Sequence, residues 1–136
     1  GDVYKRQIYY NPSNIFVAQF IGTPKMNILP LYSESIVSDN KINFLGNEIT
    51  FAQTKFDKKN YFLGIRPEHF NVSNGSEFKF KPKIDLVENL GNEKIVYMSN
   101  DNLELSAKIS SQVDFQNELN FDLKDIFIFD ENGSRI

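Results

Sequence analysis

The sequence has no cysteine and no tryptophan, and it has only one histidine in 136 residues. The absence of cysteine excludes disulfide bonds, zinc–thiolate centres and thiol nucleophiles, and it fits a reducing compartment such as the cytoplasm. A single histidine excludes a metal site built on two histidine ligands. The chain therefore lacks the groups on which several large classes of enzyme depend.

Long apolar runs and long basic runs are also missing. No segment approaches the roughly 20 consecutive apolar residues that a membrane-spanning helix needs. The formal net charge is −3, so the chain as a whole does not attract nucleic acid or anionic lipid. We therefore predict no nucleic-acid partner and no direct insertion into a membrane.

Aromatic residues are plentiful, with 13 phenylalanines and 6 tyrosines. Each one that is buried contributes about 1.5–3 kcal/mol to the stability of the fold. A chain of this length buries roughly two-thirds of its unfolded surface. The composition thus predicts one domain with a proper core and, at most, a short appendage.

Signals for one helix lie in the segment NPSNIFVAQFIGTP. Asn11 can cap the first turn and Pro12 suits the first helical position. Gly22 and Pro24 are typical of residues that follow a helix end. These signals predict a helix over about residues 12–21, and its apolar side chains cover more than one face, so it expects cover on several sides.

From Met26 onward the hydrophobic period changes to two, which is typical of strands. Gly46-Asn47 indicates a hairpin with a two-residue turn, in which glycine supplies a positive φ angle. Turns recur every eight to twelve residues, and this spacing predicts an antiparallel barrel or sandwich of seven or eight strands after one N-terminal helix. The predicted strands lie at residues 42–44, 49–51, 61–66, 78–86, 95–99, 103–109, 119–123 and 126–129.

The stretch FLGIRPEHF holds the only histidine and one of three arginines. In a catalytic interpretation His69 is a base that Glu68 orients, or Arg66 is an anion clamp. No serine elbow or second histidine accompanies them. In a structural interpretation Gly64 permits close packing, the strand ends at Pro67, which has no N–H, and the charged residues tie the turn to a neighbouring segment. We favour the structural interpretation.

Two further candidate sites have simpler explanations. Lys79, Lys81 and Lys83 alternate with phenylalanines, as in surfaces that bind single-stranded nucleic acid. Strand alternation places these lysines on the face opposite the rings, so we interpret them as a solvated face that protects an exposed strand. The turn around Gly91 and Asn92 could bind a small ligand, but turn chemistry alone explains the glycine, and no phosphate-cradling loop is found.

Four segments in order resemble the C-terminal part of carbohydrate-importer ABC ATPases, of the maltose and glycerol-3-phosphate type. They are IYYNPSNIFVAQFIGTPKMNILP, LGIRPEHF, VENLGNEKIVYM and FIFDENGSRI, and the resemblance runs in order from about residue 8 to residue 136. The resemblance identifies three groups of motif residues: Gly22, Pro24, Met26 and Asn27; Gly64, Arg66, Pro67, Glu68 and His69; and Leu90, Gly91 and Glu93.

The resemblance implies an OB-like regulatory barrel, the transport-associated OB (TOBE) domain, over residues 26–136, and it assigns residues 1–25 to the tail of an ATPase domain. It implies that two barrels pair and hold two ATPase domains together while these close on ATP and reopen. The expected partners are a second copy, the ATPase domain and the membrane subunits of a transporter. The expected location is the cytoplasmic face of the plasma membrane.

The chain departs from the family in two ways. The family's ATP-binding motifs and its switch histidine are absent. The resemblance therefore implies no catalytic, cofactor or metal residue here and no ATP hydrolysis by this chain, with ATP and Mg²⁺ expected only in the ATPase domain. The opening GDVYKRQ does not fit the family pattern, and we expect residues 1–7 to be foreign to the gene.

Two alternative functions stay open at this point. Related barrels in molybdate systems bind oxyanions at subunit boundaries, so a small-ligand or oxyanion sensor is one. The other is an OB domain that binds single-stranded nucleic acid, with an affinity that falls steeply as salt rises.

Overall fold

A computed structural model of the chain describes residues 1–72 and 75–136. The described residues form a helical N-terminal segment followed by short strands, which confirms the predicted mainly β fold and is consistent with an OB-like sandwich. The helices are α1 (Asp2–Tyr10) and α2 (Ile15–Ala18). The strands are β1 (Asn27–Leu31), β2 (Ile36–Ser38), β3 (Lys41–Phe44), β4 (Asn47–Thr50), β5 (Tyr61–Ile65), β6 (Phe78–Phe80), β7 (Lys83–Asn89), β8 (Glu93–Asn100), β9 (Leu103–Ser110), β10 (Leu119–Phe121) and β11 (Phe127–Phe129).

The strands pair antiparallel in four small sheets, in the orders β1-β5-β11, β10-β6, β2-β3-β4 and β7-β8-β9. One large hydrophobic cluster draws side chains from all four sheets. Its aromatic centre is Phe121, whose ring meets those of Phe44, Phe70, Phe78 and Phe80 at centroid distances of 5.4–6.3 Å. The many phenylalanines thus build the proper core that the composition predicts.

The predicted helix at residues 12–21 is wrong at both ends. The helix begins at Ile15, because the side chain of Asn14, and not that of Asn11, accepts a hydrogen bond from the Val17 amide at 2.8 Å. Residues before it are extended against the C-terminal tail: the Ile15 amide donates to the Gly133 carbonyl, and the Arg135 amide donates to the Ser13 carbonyl. A tertiary pairing therefore overrides the local capping signal.

The N-terminal segment differs from the prediction in two further ways. Helix α2 ends at Ala18, and Gly22, with a φ angle of 111°, lies in the loop beyond it. Residues 2–10, for which no helix was predicted, form α1. Residues 1–7 are all exposed, and Ile8 is the first buried residue.

The predicted β3–β4 hairpin forms one residue earlier than expected. Its two-residue turn is Leu45-Gly46, with φ angles of 50° and 78°, and Phe44 is opposite Asn47. The side chain of Leu45 is buried against the core, and this burial stabilises a leucine in a backbone conformation that favours glycine. The glycine itself takes the positive φ angle that was predicted.

The predicted strand at residues 78–86 is divided into β6 and β7. Pro82 lies at the break and is buried; it has no N–H for a ladder, and the two halves pair with different neighbours, β10 and β8. Lys79, Lys81 and Lys83 are exposed while Phe80 is buried, so these lysines form a solvated face. Strand β1 was not singled out from the sequence, because Pro30 interrupts its pattern.

None of the helices among the described residues is both long enough and apolar enough to cross a lipid bilayer.

Candidate functional site at the junction of helices and sheets

The centre of strand β5 allows the N-terminal segment to approach the sheet closely. A β-carbon on Gly64 would lie 2.6 Å from Met26 Sδ and 3.0 Å from Phe129 Cε2. At these distances the side chains of Met26 and Phe129 would have to shift to make room for a β-carbon, so glycine at position 64 permits this close packing. Met26 and Phe129 in turn form a small core with Ala18 of α2. The first and second groups of motif residues therefore meet at this point.

Arg66 follows β5 directly and is 1% exposed. Its Nη1 donates to the carbonyls of Ala18 and Ile21 at 3.2 and 3.0 Å. Its Nη2 donates to the Tyr9 carbonyl at 2.9 Å, and its guanidinium carbon lies 4.1 Å from the centroid of the Tyr9 ring. The arginine thus binds the end of α1 and the end of α2 with one rigid, planar group.

Burial lowers the pKa of Arg66 from its ordinary value, while Tyr9 and Glu68 act in the opposite direction. A guanidinium nevertheless stays protonated in proteins. Its charge is therefore stabilised by three carbonyl dipoles and one aromatic face. The Arg66 cation therefore joins the end of β5 to the ends of α1 and α2.

Glu68 and His69 lie beside Arg66 and bind the same tyrosine. The Tyr9 hydroxyl donates to Glu68 Oε2, and it lies 3.3 Å from His69 Nε2. Burial and the bond to Glu68 raise the pKa of Tyr9. His69 Nδ1 is 3.8 Å from Asp125 Oδ1, and burial raises the pKa of that carboxyl group.

Asn27 connects two of the sheets from a buried position at the start of β1. Its Nδ2 donates to the carbonyls of Ile65 and Ser106 at 3.0 and 2.9 Å, and its Oδ1 accepts from the Ser106 amide at 2.8 Å. All three bonds reach backbone groups, so they fix β9 against β1 and β5. Gly22 also lies beside Arg66: a β-carbon on this glycine would be 3.9 Å from Arg66 Nη1.

The third group of motif residues lies elsewhere, in the turn between β7 and β8. Gly91 has a φ angle of 92°, and the Leu90 amide donates to the Glu93 carbonyl at 2.8 Å, which closes a two-residue turn. Leu90 is 55% exposed, and Glu93 lies 3.7 Å from Lys108 Nζ. We call this element, residues 83–100, the outer hairpin.

Sequence reasoning missed several residues of the junction. Tyr9, Asp125 and Arg135 were not singled out, although Tyr9 contributes both a carbonyl and a ring to Arg66. Arg135 Nη1 donates to Asn11 Oδ1 and to the Pro12 carbonyl, each at 3.3 Å, and its guanidinium lies over the Phe127 ring. The sequence has only three arginines, and this rarity was the signal that could have pointed to Arg135.

Comparison with known proteins finds relatives that match most of this chain. No family model matches it. The maltose/maltodextrin import ATP-binding protein of Vibrio cholerae is 39% identical over 98 residues, which cover 68% of this chain and 26% of that protein. The sn-glycerol-3-phosphate import ATP-binding protein of Psychromonas ingrahamii is 32% identical over 142 aligned residues, covering 95% of this chain and 36% of that protein.

The chain belongs, over part of their length, with these import ATP-binding proteins. A third relative, the alpha-glucoside transport ATP-binding protein of Rhizobium meliloti, is 28% identical over 137 residues and matches 93% of this chain. The chain spans between 26% and 38% of the length of these relatives. The resemblance inferred from the four motifs is thus confirmed.

The junction is a closely packed contact between the helical N-terminal segment and the β sheets. The Nη1 and Nη2 groups of Arg66 and the side-chain amide of Asn27 bind the chain's own backbone at distances of 2.8–3.2 Å. Among residues 1–72 and 75–136, no group of three or more acidic, histidine or cysteine side chains is placed to hold a metal ion. The arrangement can therefore hold the helical N-terminal segment against the β sheets.

Proposed function

We propose that this chain is the regulatory and dimerisation module of the ATP-binding subunit of an ABC importer for a sugar or a related solute. The names of its relatives support that transporter class. Two such modules would hold two ATPase domains near each other while these close on ATP and open after hydrolysis. ATP and Mg²⁺ would act in the ATPase domains, and this module would hydrolyse no ATP itself.

The observation that carries the proposal is the buried Arg66 joint. A mechanical role requires that movement of the ATPase domain reaches the β sheets instead of being absorbed in a loose linker. Arg66 binds carbonyls at the ends of α1 and α2 from the end of β5. Buried, charge-assisted hydrogen bonds of this kind are the strong ones, so the helices and the sheets can move as one body.

The exposed face of α2 supports a neighbouring domain on that side. Phe16 is 76% exposed, and Phe20 is 72% exposed, with ring centroids 6.2 Å apart. Two exposed phenylalanines in contact, one on α2 and one in the turn just after it, are unusual for a free surface. In the proposal residues 1–25 form the side of the module that the ATPase domain covers, and residues 26–136 form the regulatory domain.

The outer hairpin supports pairing with a second copy. Leu86 is 61% exposed and is opposite Tyr97, 37% exposed, in the β7–β8 ladder, and the exposed Leu90 lies in the adjacent turn. A twofold interface uses the same patch on both copies. An apolar centre with charged neighbours such as Lys83 and Glu88 can meet its own copy without burying like charges. The pair would lie at the cytoplasmic face of the membrane, against the transporter's membrane subunits.

Sedimentation analysis of the 136-residue chain tests the proposal. We expect a concentration-dependent monomer–dimer equilibrium and no turnover of added ATP. Leu86→Glu should shift the equilibrium to monomer, because it would bury a carboxylate against its own copy. The matched control is Val37→Glu, on strand β2, where the side chain is 50% exposed. A monomer at every concentration, or nucleotide hydrolysis by the purified chain, would contradict the proposal.

A further inference from the structure

A separate concave surface lies between the tips of two hairpins. The β3–β4 turn, the β8–β9 turn and the end of β1 enclose a cleft of about 340 Å³. We call it the tip cleft. Its floor is apolar and buried, with Leu31, Phe44 and Leu45 between 2% and 8% exposed. Its rim carries Tyr32, 57% exposed, and a group of polar side chains.

The polar rim has unused hydrogen-bonding capacity. Asn43, Asp101 and Asn102 line the cleft and are exposed. In the part of the chain that the structure describes, their side chains form no hydrogen bond or ion pair within the protein. Each amide offers two donors and an acceptor oxygen, and the carboxylate offers acceptors only. Such a set matches ligands whose groups both donate and accept, which is the property of hydroxyl groups.

The walls of the tip cleft are formed by rigid elements. Both turns are two-residue turns closed by ladder pairs, Phe44 opposite Asn47 and Asn100 opposite Leu103. Leu45, Gly46 and Asp101 have φ angles of 50°, 78° and 54°, the left-handed values of tight hairpin turns. A preformed cleft loses little conformational entropy when a ligand binds.

The charges of the lining select among hydroxylated ligands. Among the described residues that line the cleft, Asp101 is the only one with a charged side chain, and there is no lysine, arginine or histidine. A phosphate group would meet a carboxylate and find no cation, so the lining disfavours phosphorylated ligands and nucleic acid. An exposed tyrosine ring offers an electron-rich face on which the C–H groups of a sugar ring can pack.

From these observations we propose that the tip cleft binds a neutral, unphosphorylated sugar. The Tyr32 ring packs against one face of the sugar ring. Asn43, Asp101 and Asn102 bind its hydroxyl groups. The proposal goes beyond the mechanical function above and does not depend on it, because none of the junction residues lines the cleft and the outer hairpin contributes only its last residue, Asn100.

Titration of the ¹⁵N-labelled 136-residue chain with glucose, followed by two-dimensional NMR, tests this inference. We expect saturable shifts of the amides of Tyr32, Asn43 and residues 101–103. Glucose 6-phosphate, the matched anionic probe, should bind more weakly. Saturable shifts confined to another surface, no saturable shifts, or tighter binding of the phosphorylated sugar would each overturn the proposal.

Variants of the rim sharpen the test. Tyr32→Ala should weaken glucose binding about tenfold or more, since it removes the packing face, and Asn102→Ala should weaken it without touching the core. The controls are Tyr10→Ala, at a tyrosine 63% exposed, and Asn92→Ala, in the equivalent two-residue turn of the outer hairpin. Wild-type affinity in both rim variants, or equal losses in the controls, would contradict the assignment. Dimer formation is measured separately, so its failure leaves this result unaffected.

Discussion

The junction and the outer hairpin both carry motif residues of the importer family, but their side chains lie in opposite environments. At the junction, Arg66 and Asn27 are 1% and 7% exposed and bind backbone groups. In the outer hairpin, Leu86 and Leu90 are 61% and 55% exposed. The comparison teaches that residues of one family signature can serve two purposes. Those at the junction bind the chain's own backbone, and the exposed ones in the hairpin are the residues that the proposed function assigns to a second copy.

This contrast leads to a graded expectation for substitutions. Changes at the junction should lower the free energy of unfolding, whereas changes on the outer hairpin should alter association and leave stability nearly unchanged. Each of the following predictions can break or sharpen that division.

The largest effect is expected for Arg66→Ala. It leaves three carbonyls without their donor and opens a cavity beneath Tyr9, so we expect a loss of roughly 3–5 kcal/mol. Urea denaturation followed by circular dichroism measures it. The control is Arg6→Ala, in the exposed first part of α1, with an expected loss below about 0.5 kcal/mol. Equal losses in the two variants would refute a structural joint at Arg66.

Gly64→Ala should have the next largest effect. The added methyl group would overlap Met26 Sδ and press on Phe129, and such overpacking costs about 1–3 kcal/mol. Gly75→Ala is the matched control, because nothing lies within 4 Å of a β-carbon there. A thermal melt of both variants decides the matter, and an unchanged midpoint for Gly64→Ala would mean that the segments are not closely packed.

A smaller effect, opposite in sign, is expected for Asp125→Asn. Burial raises the pKa of Asp125 in the folded chain, so the fold favours the neutral carboxyl group. That contribution to stability is present below the ordinary aspartate pKa of about 4 and is lost as the pH rises through the raised folded value. Asparagine keeps the neutral form at every pH, so the variant should be more stable at pH 7, by less than about 1 kcal/mol.

Denaturant titrations at neutral and acidic pH check the Asp125 prediction. The gain should disappear on acidification. If Asp125→Asn instead destabilises the chain at neutral pH, the charged carboxylate supports the junction through His69, 3.8 Å away.

The smallest effect on stability is expected for Leu86→Ser in the outer hairpin. Its side chain is mostly in solvent, so the free energy of unfolding should change by less than about 0.5 kcal/mol. Dimer formation should weaken measurably in sedimentation. A large loss of stability in a dilute, monomeric sample would place Leu86 with the junction residues and end the distinction between the two regions.

Local chemistry was sufficient for much of the fold. Short apolar segments bounded by turn residues predicted the strands around residues 61–66, 95–99 and 103–109, and strands form there. Gly46 takes the positive φ angle expected for it, and the chain turns within one residue of the predicted position. The FLGIRPEHF stretch also read correctly as the end of a strand, since Pro67 cannot donate to a ladder.

Other features depended on contacts between distant parts of the chain. The helix start at Asn14 depends on the pairing of residues 13–15 with the C-terminal tail, and the division of residues 78–86 depends on two different partner strands. The three carbonyls that Arg66 binds belong to residues 45 to 57 positions away in the sequence. No local pattern encodes a carbonyl acceptor, because every residue has one.

The amino-acid sequence by itself determined the class of the fold, its aromatic core and the family resemblance, because hydrophobic period and ordered motifs are properties of the residues alone. Only the tertiary structure decided that Arg66 and Asn27 bind the backbone of other segments, and that Leu86, Tyr97 and Tyr32 face solvent. The physical reason is that periodicity specifies which face of a strand is apolar, while burial and hydrogen bonding depend on which neighbour covers that face.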